Sequence, residues 1–307
     1  MYVFIVNPVA GNGRGEKIYR RLSKTDYFKR LDSKVYITAF QGHAEKIARQ
    51  LVLQAHTNIK TIIVVGGDGT IHEVVNGIGN GRIPIGYIPG GSGNDFGRGC
   101  KVRGTPKQML RRIVEDSDVT PYWIGDYLLE NGEKRHFVNS IGFGFDAEIA
   151  EHANQSVYKK LLNRFHIGKI TYVIALILVL FKFKPFEIEI EVDGTRQVIK
   201  KCWMVTIANH QYYGGGMKII PTAKIQPQRM PVLIIQDISK WKILGLFLTV
   251  FTGKHTSFKE VTVLEAEKVS ISSTNLIFYQ VDGQTSKCNT CTLLKNSREI
   301  QVLGTNI

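Results

Sequence analysis

The sequence predicts an α/β chain in two parts, a helix-covered parallel sheet followed by an antiparallel β-sandwich. Three observations carry that prediction. Over the first ~120 residues, apolar strand-forming runs alternate with amphipathic helical runs. Three of those strands run directly into glycine-rich loops. Past Pro121 the texture changes to short alternating strands with hairpin signals at Asn131-Gly132 and Asp193-Gly194. The first part is therefore expected to be a Rossmann-like domain over residues 1–121, and the second a β-rich domain over 122–291. Periodicity leaves open whether 292–307 completes the first domain.

The elements follow in order. Tyr2 to Val6 is an apolar strand, followed by Asn7-Pro8-Val9-Ala10-Gly11-Asn12-Gly13-Arg14-Gly15 and a basic helix from near Glu16. Lys34 to Ile37 forms the second strand, ending at Thr38. Ala44, Ile47, Ala48, Leu51 and Ala55 give one helix its apolar stripe. Thr61 to Val65 is a buried strand that ends in Gly66-Gly67-Asp68-Gly69-Thr70, after which Ile71-His72-Glu73-Val74-Val75 resumes helical spacing. Pro84 to Ile88 leads into Pro89-Gly90-Gly91-Ser92-Gly93-Asn94-Asp95-Phe96-Gly97. Thr105-Pro106-Lys107-Gln108 supplies a cap, a first-position proline and a capping-box glutamine for a helix through Val114. In the second part, strands are expected at 203–208, 232–236, 269–272 and 276–281, with helical segments near 152–181 and 239–252.

In a parallel sheet the C-terminal ends of strands share one edge, so the three glycine loops converge there. A strand that turns through glycines into a helix N-terminus offers N–H groups and a positive dipole end to a phosphate. Asp68 is a poor direct partner for that anion; its work lies with a phosphate-bound cation or the surrounding hydrogen bonds. Familiar nucleotide signatures fail. Gly11, Gly13 and Gly15 lack the G-x-G-x-x-G spacing, the loop has no P-loop ending, and Thr38 replaces the ribose-binding acid of dinucleotide folds.

The chain has 307 residues, 43% of them hydrophobic, and 40 Lys and Arg against 26 Asp and Glu for a formal charge of +14. Nucleic acid finds no zinc-finger, RNP or helix-turn-helix pattern, so an anionic membrane surface is the preferred partner of this charge. Met1 leads directly into a strand, so no signal peptide is expected. The apolar run Ile170 to Phe181 falls short of the roughly 20 residues that a span needs. It reads as a core helix or an interfacial one, as does Ile243 to Phe251. Cys100, Cys202, Cys288 and Cys291 are read as free thiols, since Cys288-Asn289-Thr290-Cys291 has no second pair.

The glycine–aspartate turn at Gly66 to Ile78, the opening Asn7-Pro8-Val9-Ala10-Gly11 and the Pro89 to Phe96 segment resemble those of the diacylglycerol kinase catalytic-domain family. Gly142-Phe143-Gly144-Phe145-Asp146-Ala147 and Asn209 to Met217 resemble its second-domain motifs. The resemblance spans most of the chain. It implies an ATP- and Mg²⁺-dependent lipid kinase with its active site in a cleft between the domains, acting on a diacylglycerol-like alcohol. It implies nucleotide contacts at Asn7, Pro8, Val9, Ala10, Gly11, Thr38, Gly66, Gly67, Asp68, Gly69, Thr70, Ile71, His72, Ser92, Asn94 and Asp95. It implies catalytic roles for Asp68 and, facing the acceptor, for Asp282 with Gln284. A cytoplasmic protein, peripheral at the inner membrane surface, is expected, with a homodimer left open.

Two departures qualify the resemblance. The family's Asp-Gly-Glu, whose glutamate acts as general base, reads Asp282-Gly283-Gln284 here. The segment that holds a structural Mg²⁺ in the family reads Gln226-Pro227-Gln228-Arg229-Met230-Pro231-Val232, without a carboxylate, so that separate metal site is expected to be absent. A weak or inactive lipid- and nucleotide-binding pseudokinase is the alternative, and an NAD kinase, which shares the glycine turn, a more distant one.

Overall fold

The computed structural model describes residues 1–53, 58–116, 118–155 and 176–306. The chain forms two compact units, Met1–Tyr122 with Arg298–Ile307, and Trp123–Ser297.

In the first unit, β1 (Tyr2–Val6), β2 (Ser33–Ile37), β3 (Thr61–Gly66) and β4 (Ile85–Pro89) run parallel in the order β2-β1-β3-β4. Every residue of β3 is buried, as befits a central strand covered on both faces. The chain's end returns here: Val302 and Leu303 pair in parallel with Ile85 and Gly86. Six helices surround the sheet: α1 (Ala10–Ser23), α2 (Asp26–Lys29), α3 (His43–Leu53), α4 (Asp68–Ile78), α5 (Asp95–Gly99) and α6 (Pro106–Glu115). The predicted stripe of α3 is buried at Ala44, Ile47, Ala48 and Leu51, whereas Ala55 lies outside the described residues. The carboxylate of Glu73, on α4, accepts from the amides of Gly42 (2.8 Å) and Ala44 (3.1 Å) and so closes the N-terminal end of α3. The capping box of α6 is present at Thr105 and Gln108. α1 begins earlier than expected, but Gly11, Asn12 and Gly13 have left-handed φ values of 56°, 59° and 82°, so regular helix follows this kink.

The second unit contains β5 (Val119–Leu129) from Trp123 onward, β6 (Lys134–Phe137), β7 (Ser140–Gly144), α7 (Phe145–Gln155), β8 (Phe186–Val192), β9 (Thr195–Ala208), β10 (Tyr212–Tyr213) and β11 (Met217–Lys218). β12 (Met230–Gln236), α8 (Lys240–Thr249), β13 (Val261–Ala266), β14 (Lys268–Val281) and β15 (Gln284–Leu303) follow. The strands pair antiparallel in the order β13-β12-β9-β7-β14-β15. Alternate residues serve two cores. Val205, Ile207, Val232 and Ile234 enter the cluster with Phe143 and Tyr279. Met204, Ala208, Leu233 and Ile235 enter the cluster with the helices.

Asp193-Gly194 closes β8–β9 with φ of 47° and 86°, and Asn131-Gly132 closes β5–β6. A second Asp-Gly hairpin, Asp282-Gly283 (φ 50° and 89°), joins β14 to β15. The strands expected at 269–272 and 276–281 are one strand, β14, whose pairing with β15 shifts between Ser272 and Ile277 because a polar Ser-Ser-Thr-Asn stretch interrupts the apolar pattern. Of the expected 152–181 helical stretch, 156–175 lie outside the described residues; α7 starts earlier, at Phe145, and residues 176–182 are helical. No helix among the described residues is long and apolar enough to cross a membrane.

Candidate functional site

β1, β3 and β4 deliver their loops side by side. The Asn7 amide donates to Val65 O (2.9 Å) and the Gly90 amide to Gly66 O (2.7 Å). The loops then stack backbone on backbone. A Cβ on Gly11 would lie 2.2 Å from Gly90 O, one on Gly15 2.2 Å from Asn7 O, and one on Gly91 2.4 Å from Gly67 Cα. Glycine is required there by close approach, before any ligand is considered. Side chains lock the stack. Asn7 Nδ2 donates to Thr70 Oγ1 (3.0 Å), and Asn7 Oδ1 accepts from the Val9 amide (3.2 Å). Arg14 donates to Gly91 O (3.2 Å). Asn94, in the left-handed region at φ 59°, accepts from the Gly91 amide and donates to Gly91 O, both at 2.8 Å. The Tyr87 hydroxyl lies 3.1 Å from both Gly66 O and Asn94 Oδ1.

α4 starts at Asp68, and its N-cap, Gly67, has no side chain to close it. The amides of this first turn sit at the positive end of the dipole, and that of Thr70 already donates to Gly67 O (3.0 Å). Asp68 Oδ1 accepts from the Phe96 amide (3.0 Å), tying the second loop to α5. The Cβ position of Gly93 lies 2.7 Å from Asp68 Oδ2 and 3.7 Å from Asp95 Oδ2, so two carboxylates border one glycine. Asp95 is buried and paired with Arg98 at 2.7 Å. Burial, then the charges of Asp68 and Asp95, pushes the Tyr87 phenol well above its ordinary value.

The remaining expected contacts divide. Ser92 and Val9 are exposed, Pro8, Ala10 and Gly69 half-buried, and Thr38 is buried with its amide on Val6 O (2.9 Å). Ile71 and His72 are 0% and 1% exposed, because α4 is covered on nearly every side, and the Ile71 amide is bonded to Gly67 O.

The second unit gathers a separate polar network. Asp282, expected to face an acceptor, commits both oxygens to backbone amides: Val138 (2.8 Å), Asn139 (2.7 Å) and Ser140 (3.1 Å). It is a clamp on the 138–140 turn, and the left-handed hairpin geometry aims it there. Gln284 is half-buried and opens β15 opposite Val281. Asn209 Nδ2 donates to Phe137 O (3.1 Å) and Val138 O (2.8 Å), and Asn209 Oδ1 accepts from Lys295 (2.7 Å). Burial draws the Lys295 ammonium down to about 7. His210 Nε2 lies 3.0 Å from Asn139 Oδ1, its Nδ1 accepts from the Tyr212 amide, and burial draws it down to about 4, so it is neutral near pH 7.

Sequence reasoning missed Asp146 as a functional group, although its segment was marked. Burial raises this carboxyl to about 6, and Tyr213 donates to its Oδ2 (3.2 Å). Gly142 makes room for it: a Cβ there would lie 1.9 Å from that oxygen. Thr206 and Gln280 flank Gly142 in register, and the Gln280 side chain and the Ala147 amide partly offset the burial of the Asp146 carboxyl. Lys295 and Asn139 carried no signal; nothing around Leu293-Leu294 marks a functional lysine. The segment Gln226–Val232 places Gln226 on Glu265 (2.9 Å) and Arg229 near Glu267 (3.9 Å). All four cysteines are buried free thiols.

Residues 1–124 match the diacylglycerol kinase catalytic domain, and residues 139–297 match the YegS C-terminal NAD kinase beta sandwich-like domain. Among relatives, "Putative lipid kinase YtlR" of Bacillus subtilis is 28% identical over 286 residues, covering 92% of this chain and 93% of that one. A diacylglycerol kinase of Mycobacterium tuberculosis is 25% identical over 279 residues, covering 91% and 87%. The solved structure of "a putative diacylglycerol kinase" from Bacillus anthracis superposes with a TM-score of 0.76 at 22% identity, covering 98% and 96%. That last likeness speaks for the fold alone.

Proposed function

The chain belongs to the diacylglycerol kinase catalytic-domain family, and from that premise we propose that it transfers the γ-phosphate of ATP to the hydroxyl of a diacylglycerol-like lipid. The observation that carries this reading is the uncapped N-terminus of α4, set among three glycine loops in backbone contact with one another. Such a turn offers amides and a dipole end to polyphosphate, and no side chain competes for them. The residues fit a nucleotide with Mg²⁺. The Asp68 and Asp95 carboxylates bordering Gly93 are the hard oxygen donors that this cation prefers. When bound, Mg²⁺ neutralises charge on the transferring phosphoryl group. Arg14, bonded to the Gly91 carbonyl, adds positive charge at the loop.

On the acceptor side, Gln284 orients a hydroxyl but accepts no proton, since an amide oxygen is essentially non-basic near neutrality. Asp282 is occupied by three amides and acts through the turn that it holds. In a loose transition state the proton leaves late, so turnover survives at a reduced rate. The absent base also supports a second reading, a lipid- and nucleotide-binding pseudokinase. One experiment separates them. The purified protein, incubated with labelled ATP, Mg²⁺ and mixed lipid alcohols, should yield a chloroform-soluble phosphorylated product, and Asp68→Asn should lower its rate more than about 100-fold. ATP-dependent thermal stabilisation with no product across diacylglycerol, sphingoid bases and ceramide favours the pseudokinase.

A further inference from the structure

Two surface helices of the second unit turn apolar side chains outward. Residues 176–182 bury Leu176, Val179 and Leu180 but leave Ile177 43%, Leu178 41% and Phe181 55% exposed. α8 buries Ile243 and Leu246, yet Trp241 and Leu248 are each 74% exposed, and Phe251 just beyond it is 49% exposed. Trp241, Gly245 and Leu248 stand at i, i+4 and i+7, so one outward stripe of α8 has no polar side chain. The two stripes meet: Phe181 and Trp241 touch edge to face at 6.3 Å, and Lys240 donates to Phe181 O at 2.7 Å. A continuous apolar patch of this kind marks an interaction surface rather than scattered exposure.

The charge around the patch is one-sided. Residues 176–186 and 239–259 contain six lysines and not one aspartate or glutamate. Acids stand at the margins: exposed Glu187 and Asp237 flank the two segments, and Glu260 meets Lys242 at 2.6 Å. We propose that this patch is a docking face for the anionic surface of a lipid bilayer, with the helices lying in the interfacial plane. Tryptophan and phenylalanine suit the interface, and lysine stems extend along apolar surface while their heads reach lipid phosphates. A second copy of the chain fits worse, because an isologous contact sets these lysines against their own copies. The face is independent of catalysis, so its test needs no turnover and stands apart from the kinase reading.

Tryptophan emission reads it, since of the three tryptophans Trp241 is exposed, Trp123 half-buried and Trp203 only 2% exposed. The full-length protein is titrated with phosphatidylcholine vesicles with and without phosphatidylglycerol. The expected result is a blue shift and co-sedimentation with the anionic vesicles only. The Trp241→Ala/Leu248→Ser pair should lower vesicle affinity more than about ten-fold. Lys182→Glu/Lys184→Glu should lower it about five-fold or more per charge, and removes no packed side chain should the first pair fold poorly. Equal binding by the charge variant and the parent protein overturns the proposal, as does equal binding to neutral vesicles. A dimer in sedimentation velocity that the Trp241→Ala/Leu248→Ser pair dissolves also overturns it and assigns the face to a second copy.

Discussion

On the proposed kinase reading, an acceptor hydroxyl meets an amide at position 284. General-base assistance is worth ~10²–10⁴ in rate. If Gln284 limits proton removal, Gln284→Glu should raise kcat at least about ten-fold on diacylglycerol, measured as initial rates; an unchanged kcat would show that another group moves the proton. Asp282 has a different signature. Its two oxygens answer three amides, so Asp282→Asn leaves a buried turn short of acceptors and should cost about 1–3 kcal/mol in a denaturant melt. Asp146 supplies the pH dependence. Its folded value of about 6 lies above the ordinary 3.8, so its stabilising contribution is complete below about pH 4 and is lost as pH rises through 6. The full loss is of the order of 3 kcal/mol. Asp146→Asn should flatten the difference in Tm between pH 4 and pH 7; parallel Tm profiles for the two proteins would dismiss this carboxyl as the source.

Among the elements, the glycine loops show what was legible and what was not. Their place after strands could be read from Thr61–Thr70 and Pro84–Gly97, because a β-branched run that breaks into glycines has few other outcomes. That the glycines serve loop-on-loop contact could not be read, since the partners of Gly91 and Gly11 lie far away in sequence. The Asp282-Gly283 hairpin carried the same turn chemistry as Asp193-Gly194, and its resemblance to a catalytic segment drew attention from the fold to the chemistry. These contrasts predict separable effects. Gly91→Ala drives a Cβ to 2.4 Å from Gly67 Cα, a backbone clash that no rotamer relieves, and should cost about 1–3 kcal/mol. A Cβ at Gly69 meets nothing within 4 Å. Gly69→Ala should therefore hold its Tm within about 2 °C while weakening ATP-induced stabilisation, if the amides of that turn serve phosphate. Equal destabilisation by both changes would mean that the loops pack differently from this structure.

For the whole molecule, the first unit is not contiguous in sequence, and that has an energetic consequence. Its sheet ends with Val302 and Leu303, 0% and 8% exposed, laid in parallel beside Ile85 and Gly86. Gly304, at φ 73°, packs against Ile113 of α6, where a Cβ would come within 2.6 Å of Cγ1. Arg112 bonds Asn306, Asn306 donates to Lys101 O at 2.8 Å, and Thr120 meets Thr305 at 2.5 Å. Residues from the far end of the chain thus complete the first unit, a return that local periodicity cannot announce because it depends on a parallel pairing across more than two hundred residues. Ending the chain after Ser297 exposes the β4 edge and removes three buried apolar side chains, Ile300, Val302 and Leu303, worth roughly 1.5–3 kcal/mol each. The second unit keeps both of its cores. A calorimetric scan of the truncated protein should therefore show the loss confined to one transition, lowered by about 10 °C or more, together with loss of ATP-induced stabilisation. A truncated protein that melts like the full chain would place the last strand outside the first unit's core.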